Sequence, residues 1–178
     1  MPQRRPPRGS RTTCGDRETG VATLAPVTAP LRYSSLGSDL LAGRMPHAAA
    51  HVEALDAEGV RTVINLCEDH EYWDGERAAV EAAFRQAKMT EHRLPVPDGA
   101  TIPPEVLDRA IEAAGRETVY IHCRGGRERS AAVAVAILAS RSGTSIDDAL
   151  EVASVRWPTC RPLPWQIAGV RAWAASRE

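Results

Sequence analysis

The stretch TVYIHCRGGRERSAAVAVAILA, residues 118–139, decides how the chain folds. Thr118 to Ile121 are β-branched or aromatic and lead into His122, which reads as a short buried strand. Ser130 to Ala139 are small or apolar on every side, which reads as a helix enclosed by other elements. Between them, Cys123 to Arg129 contains Gly125 and Gly126, so the backbone can curl with successive N–H groups pointing inward. A strand that feeds such a loop into a helix N-terminus suits an anion, because unpaired amides and the helix dipole both favour negative charge there.

Outward from this stretch, short apolar runs alternate with helical periodicity from residue 31 onward, the pattern of an α/β domain with a helix-covered sheet. Asp39 to Gly43, Arg61 to Cys67 and Glu91 to Val96 join Thr118 to His122 as strands, giving a central sheet of about four to five strands flanked by helices. Asp74 is placed to cap a helix carrying Val80, Phe84 and Ala87 on one face. Pro103 and Pro104 open another, with Val106, Leu107, Ala110, Ile111 and Ala114 inward and Gly115 as its stop. Ser145 with Asp148 forms an S-x-x-D cap for the next helix, and Pro164 opens a last one bearing Ile167, Val170 and Trp173.

One catalytic domain is expected over residues 31–178, preceded by a disordered basic leader over residues 1–30. That leader has five prolines and five arginines against two acids, and no aromatic residue to bury. The formal net charge of −1 gives no bulk footprint for nucleic acid or an anionic membrane, so any basic site must be local. Four cysteines in 178 residues, without a paired zinc-type C-x-x-C, do not make a disulfide scaffold and fit a reducing cytoplasm. No apolar run reaches membrane-spanning length, and no apolar segment follows the N-terminal arginines as in a signal peptide.

Cys123 and Arg129 stand six positions apart. With 21 arginines in 178 residues, a cysteine meets that spacing in roughly one case in eight by composition alone, so the context has to carry the reading. A cysteine in an amide-lined loop at a helix N-terminus is favoured as thiolate, the form that acts as a nucleophile. Arg129 offers a planar fork that matches two phosphate oxygens.

The run His122-Cys123-Arg124-Gly125-Gly126-Arg127-Glu128-Arg129-Ser130 resembles the H-C-x-x-G-x-x-R-[ST] signature of the cysteine-dependent protein tyrosine phosphatase superfamily at every fixed position. From Asp39 to Trp173 the order of segments is similar to the small dual-specificity branch. The resemblance implies hydrolysis of phosphate monoesters through a phosphocysteine on Cys123, with Arg129 and the loop from Arg124 to Glu128 holding the phosphate and no metal or cofactor required. It implies a separate acid, for which Asp98 in LPVPDGATIPP is the first choice and Glu91 and Asp108 are second choices. A P-D-G turn also explains Asp98 without any chemistry. Ser130 is expected to hydrogen-bond the Cys123 sulfur, His122 to fix the loop, and Gln166 to position water as a late Gln does in some relatives. The segment NLCEDHEY resembles phosphoinositide-phosphatase relatives in which the equivalent of Cys67 pairs with the oxidised nucleophile.

Phosphorylated proteins are placed first as substrates, on the protein tyrosine or dual-specificity pattern. Arg124 and Arg127 are residue types that relatives acting on phosphoinositides or inositol phosphates carry at these positions, so that class is the alternative, with Glu128 opposing it. A rhodanese-like sulfurtransferase, whose loop has Arg five positions after Cys where Glu128 stands here, and a non-catalytic phosphate-binding module are the remaining readings. Partners are phosphorylated protein, small-molecule or lipid substrates, with no nucleic acid and no integral membrane association.

Overall fold

The runs rich in β-branched residues become the inner strands of a sheet, because a segment buried on both faces must satisfy its backbone groups through its neighbours. A computed structural model describes residues 29–37 and 39–177. The expected leader lies outside them except for its last two residues. The elements, in order, are β1 (Tyr33–Ser35), β2 (Leu40–Arg44), α1 (Ala49–Ala57), β3 (Thr62–Asn65), α2 (Glu76–Gln86), β4 (Thr90–Arg93), α3 (Pro104–Ala114), β5 (Val119–Cys123), α4 (Arg129–Ser142), α5 (Ile146–Arg156) and α6 (Pro164–Ala175).

The sheet order is β1-β2-β5-β3-β4. β2, β5, β3 and β4 run parallel, and β1 closes the β2 edge antiparallel. The expected strands are present within a residue or two of their bounds; the run expected over Glu91 to Val96 pairs as Thr90–Arg93. Its last residues stay extended, with the Leu94 and Val96 amides donating to the Asn65 and Leu66 carbonyls. β1 and α1 are additions.

Alternation along β5 divides the core in two. Val119, Ile121 and Cys123 face a large cluster built with α3, α4, α5 and α6. Tyr120 faces a smaller one with Val52 and Leu55 of α1 and Val80 and Phe84 of α2. α4 is buried without interruption from Arg129 to Ile137, as an all-apolar helix must be, and its alanines let it pack on β2, β5, α5 and α6 together.

The caps of α3, α5 and α6 follow the sequence: Pro104 and Pro164 stand in the first turns, Gly115 ends α3, and Ser145 Oγ accepts from the Asp148 amide. Asp74 does not cap α2. That helix begins at Glu76 after Gly75, whose φ of 81° already turns the chain, and no side chain caps it. Among the described residues no helix is long and apolar enough to cross a membrane.

Candidate active site

β5 is the central strand, and its carboxyl end is where ligands collect in open parallel sheets. Cys123 is its last residue, 3% exposed, and the chain then turns through Arg124 to Glu128 into α4. Gly126 fixes that turn. Its φ is +61°, and a Cβ there would lie 2.2 Å from the Gly43 carbonyl carbon and 2.4 Å from the Arg44 nitrogen. The loop therefore rests directly on the β2 backbone. Among the described residues the amides of Gly125, Gly126, Arg127 and Glu128 donate to no protein acceptor, which leaves them for an anion.

Cys123 Sγ and Ser130 Oγ lie 3.3 Å apart in the interior, the contact expected for Ser130. Arg129 is 1% exposed, and its setting differs from the simple fork. Nη1 donates to Glu71 Oε2 at 2.8 Å, to the Val96 carbonyl at 2.8 Å and to the Leu66 carbonyl at 3.3 Å. Nη2 donates to Glu71 Oε1 at 2.6 Å and lies 3.0 Å from Asp98 Oδ1. Nε is buried without a partner among the described residues. The edge left for phosphate is thus Nε with the Nη2 that Asp98 holds. Burial works against the Arg129 charge, but hydrogen bonds to Glu71 and the charges of Cys123, Glu71 and Asp98 outweigh it and push its pKa above the ordinary value.

Glu71, which no motif pointed to, ends a 3-10 turn (Asp69–Glu71) after β3 and is 3% exposed. Burial alone would raise its carboxyl. The Arg129 hydrogen bonds and the Glu68 amide, which donates to Oε2 at 2.8 Å, reverse that and hold it below the usual range.

Asp98 lies in the expected loop with a side chain 77% exposed, and it lines a pocket of about 320 Å³ with Cys123, Arg44, Arg127, Glu128 and Arg129. Arg124 and Gly125 line the same pocket. The second-choice acids are elsewhere: Glu91 accepts from Asn65 and Arg77 on β4, and Asp108 binds Trp173 and Arg177.

Gln166 is fully buried, and its amide is spent on the chain. Oε1 accepts from the Leu163 amide at 3.1 Å, and Nε2 donates to the Ala100 carbonyl at 2.9 Å. With Trp165 Nε1, which donates to the Gly99 carbonyl at 2.8 Å, it anchors the Asp98 loop to α6. Each polar end thus has a protein partner, and the side chain is enclosed by the chain.

The His122 ring stacks on Tyr120 with Nδ1 3.9 Å from Cys67 Sγ, and its Nε2 has no partner among the described residues. Burial holds its pKa down at about 3, so the ring is neutral. Cys67 is a fully buried free thiol raised far above its ordinary range, chiefly by burial, with the Glu71 and Cys123 charges adding to the shift.

A sulfur and a guanidinium at one end of a nest of open amides, with a carboxylate across the mouth, define the site of a phosphatase that works through cysteine. A family model for the Swiss Army Knife protein DSP-PTPase phosphatase domain matches residues 36–154. The chain therefore belongs to that family of cysteine-dependent phosphatases. Among solved structures, PTPMT1 in complex with PI(5)P is 22% identical, with 81% of this chain and 95% of that one covered at a TM-score of 0.72. Kinase associated phosphatase with its catalytic cysteine replaced by serine is 18% identical, covering 83% and 96% at 0.68. A mouse putative dual specificity phosphatase complexed with zinc tungstate is 23% identical, covering 92% and 94% at 0.65. At these identities the likeness establishes the fold. A comparison with curated proteins finds no match.

Proposed function

We propose that the protein hydrolyses phosphate monoesters in two steps centred on Cys123. In the first, the Cys123 sulfur forms a bond to phosphorus as the bond to the leaving oxygen breaks, and Asp98 gives that oxygen its proton. Arg129 and the amides from Gly125 to Glu128 carry the equatorial charge. In the second step water attacks phosphorus, the Asp98 carboxylate takes its proton, and the phosphorus–sulfur bond breaks with the Ser130 hydroxyl donating to the departing sulfur. Asp98 rests on Arg129 in the structure, so phosphate binding must free it to reach the leaving oxygen.

The observation that carries this reading is the 3.3 Å contact between Cys123 and Ser130 beside a loop whose amides from Gly125 to Glu128 have no acceptor among the described residues. Phosphate release from an aryl phosphate tests it. Cys123→Ser is expected to abolish release while the fold stays intact, and EDTA to leave the parent active. Thiosulfate sulfurtransfer measured in parallel is expected to be absent; its presence would move the chain to the sulfurtransferase reading.

For substrate, phosphorylated protein side chains remain the first class, as in the dual-specificity pattern. A pocket of about 320 Å³ is at the low end of the range for ligand sites and takes the phosphate with the group that carries it. Any larger part of the substrate lies on the surrounding surface. There the exposed Arg44, Arg124 and Arg127 favour a second reading, phosphorylated inositols or their lipids.

Cys67 as a redox partner requires its thiol to leave His122 and reach an oxidised Cys123. Peroxide inactivation followed by a reducing thiol is expected to restore the parent better than Cys67→Ala. Equal recovery would leave Cys67 as core packing.

A further inference from the structure

Beside the catalytic pocket lies a second cleft of about 530 Å³, walled by β1, by the phosphate loop and by the turn after α5. It is lined by Arg32, Arg44 and Arg127 together with Gly126, Trp157 and Thr159, and among the described residues no carboxylate lines it. The far wall is tied to the loop, since the Arg161 amide donates to the Arg127 carbonyl at 2.8 Å and the Cys160 amide to the Trp157 carbonyl at 2.8 Å. Among the described residues none of Arg32, Arg44 and Arg127 forms an ion pair.

The placement of two of these arginines is costly. Tyr33 pairs with Gly43 in the antiparallel register, which sets Arg32 opposite Arg44, and the Arg44 amide donates to the Arg32 carbonyl at 3.0 Å. Like charges directly across an antiparallel pair destabilise it. On its other side Arg44 is the register partner of Cys123 in the parallel pair of β2 with β5. Arg32, Arg44 and Cys123 therefore form one tier across three strands at the functional end of the sheet, each step about 4.8 Å.

We propose that this cleft is a subsite for a second phosphate group, so that the preferred substrate is a small phosphorylated polyol or its lipid carrying another phosphate near the scissile one. The proposal rests on the phosphatase reading and, on the strength of this cleft, raises the second substrate class above the first. An anion between Arg32 and Arg44 turns their repulsion into a paired site, and guanidinium forks match phosphate oxygens geometrically. A cleft lined by one sign of charge also concentrates such a ligand. A singly phosphorylated peptide has less use for three cations.

The test compares kcat/KM for an aryl phosphate, an inositol monophosphate, an inositol bisphosphate, a short-chain lipid with that bisphosphate headgroup, and singly and doubly phosphorylated peptides. The parent is expected to prefer the bisphosphate over the monophosphate by about tenfold, the worth of one charge-assisted contact. Arg32→Gln should remove most of that preference through KM, Arg32→Lys should retain part of it, and Arg161→Gln, which removes a nearby charge outside the cleft, should keep it. Preference in both the soluble and the lipid arms supports a site for phosphate alone, and preference confined to the lipid arm supports the same site with a lipid headgroup as its source. No preference in the parent, an equal loss in Arg161→Gln, or a preference shown only between the peptides would overturn the proposal. Titration of the bisphosphate into Cys123→Ser reads the subsite without turnover. A parent inactive on the aryl phosphate, whose Cys123→Ser form still binds the bisphosphate more weakly after Arg32→Gln, would sink the phosphatase reading and keep the subsite.

Discussion

Glu71 gives Arg129 its orientation, and its contribution can be separated from chemistry by pH. The carboxyl is held below its usual value in the folded chain, so the unfolded chain binds more protons at acid pH. The stability it supplies is fully present above the unfolded value, about 4.3, and is lost as pH falls through the lower folded value. Glu71→Gln is expected to remove that part of the acid slope, measured as denaturant midpoints across the range. At neutral pH it should cost about 3–5 kcal/mol, because the Arg129 charge stays buried without its partner. The same variant should lower kcat/KM, while a structural role alone would lower only the midpoint. Nothing in CEDHEY announces this residue. A run of acids reads as a solvated surface, and only the return of β3 beside β5 brings Glu71 under the loop. That Cys123, Arg129 and Ser130 come together was legible because they stand at fixed spacing within one strand, loop and helix. Gln166 and His122 matched relatives by position, while what their side chains touch, Leu163 and Ala100 for Gln166 and Tyr120 and Cys67 for His122, depends on how the chain packs around them.

The loop that carries Asp98 is held by the first turn of α6, where Trp165 and Gln166 take the Gly99 and Ala100 carbonyls. Asp98→Asn is expected to reduce kcat by about 10²–10⁴, with a smaller loss on substrates whose leaving groups are already acidic. Trp165→Phe keeps the ring and deletes one donor, so it should lower kcat on poor leaving groups in the same direction by a smaller factor. Equal losses across leaving groups in both variants would mean that this loop shapes the pocket and moves no proton. Element by element, the buried strands and the capped helices were readable because periodicity, proline and Ser145 state them locally. β1 was not, since Tyr33-Ser34-Ser35 is short, polar and defined only by its pairing with β2. α1 was not either, since Ala48 caps nothing and His51 is among its few buried residues.

Across the whole molecule the two ends of the sheet have separate duties. At the amino end Arg141 ties the C-terminus of α3 to the entry of β5 and β2, donating to the carbonyls of Ala114, Glu117 and Asp39. Arg141→Ala is expected to cost about 1–3 kcal/mol. At about 2–4 °C per kcal/mol for a chain of this size, the loss would appear as a lower Tm with kcat/KM unchanged at assay temperature. A change in kcat/KM would show that the ends are coupled. At the carboxyl end the loop bears on β2 through Gly126, backbone against backbone at Gly43 and Arg44, and the Arg124 carbonyl accepts from the Met45 amide at 3.4 Å. Its curvature is inherited from the strand beneath it. The Arg124 and Arg127 side chains are exposed beside that contact and do not make it. A lineage that exchanges those two arginines is therefore expected to keep the curve of the loop and to alter only the diet of the enzyme.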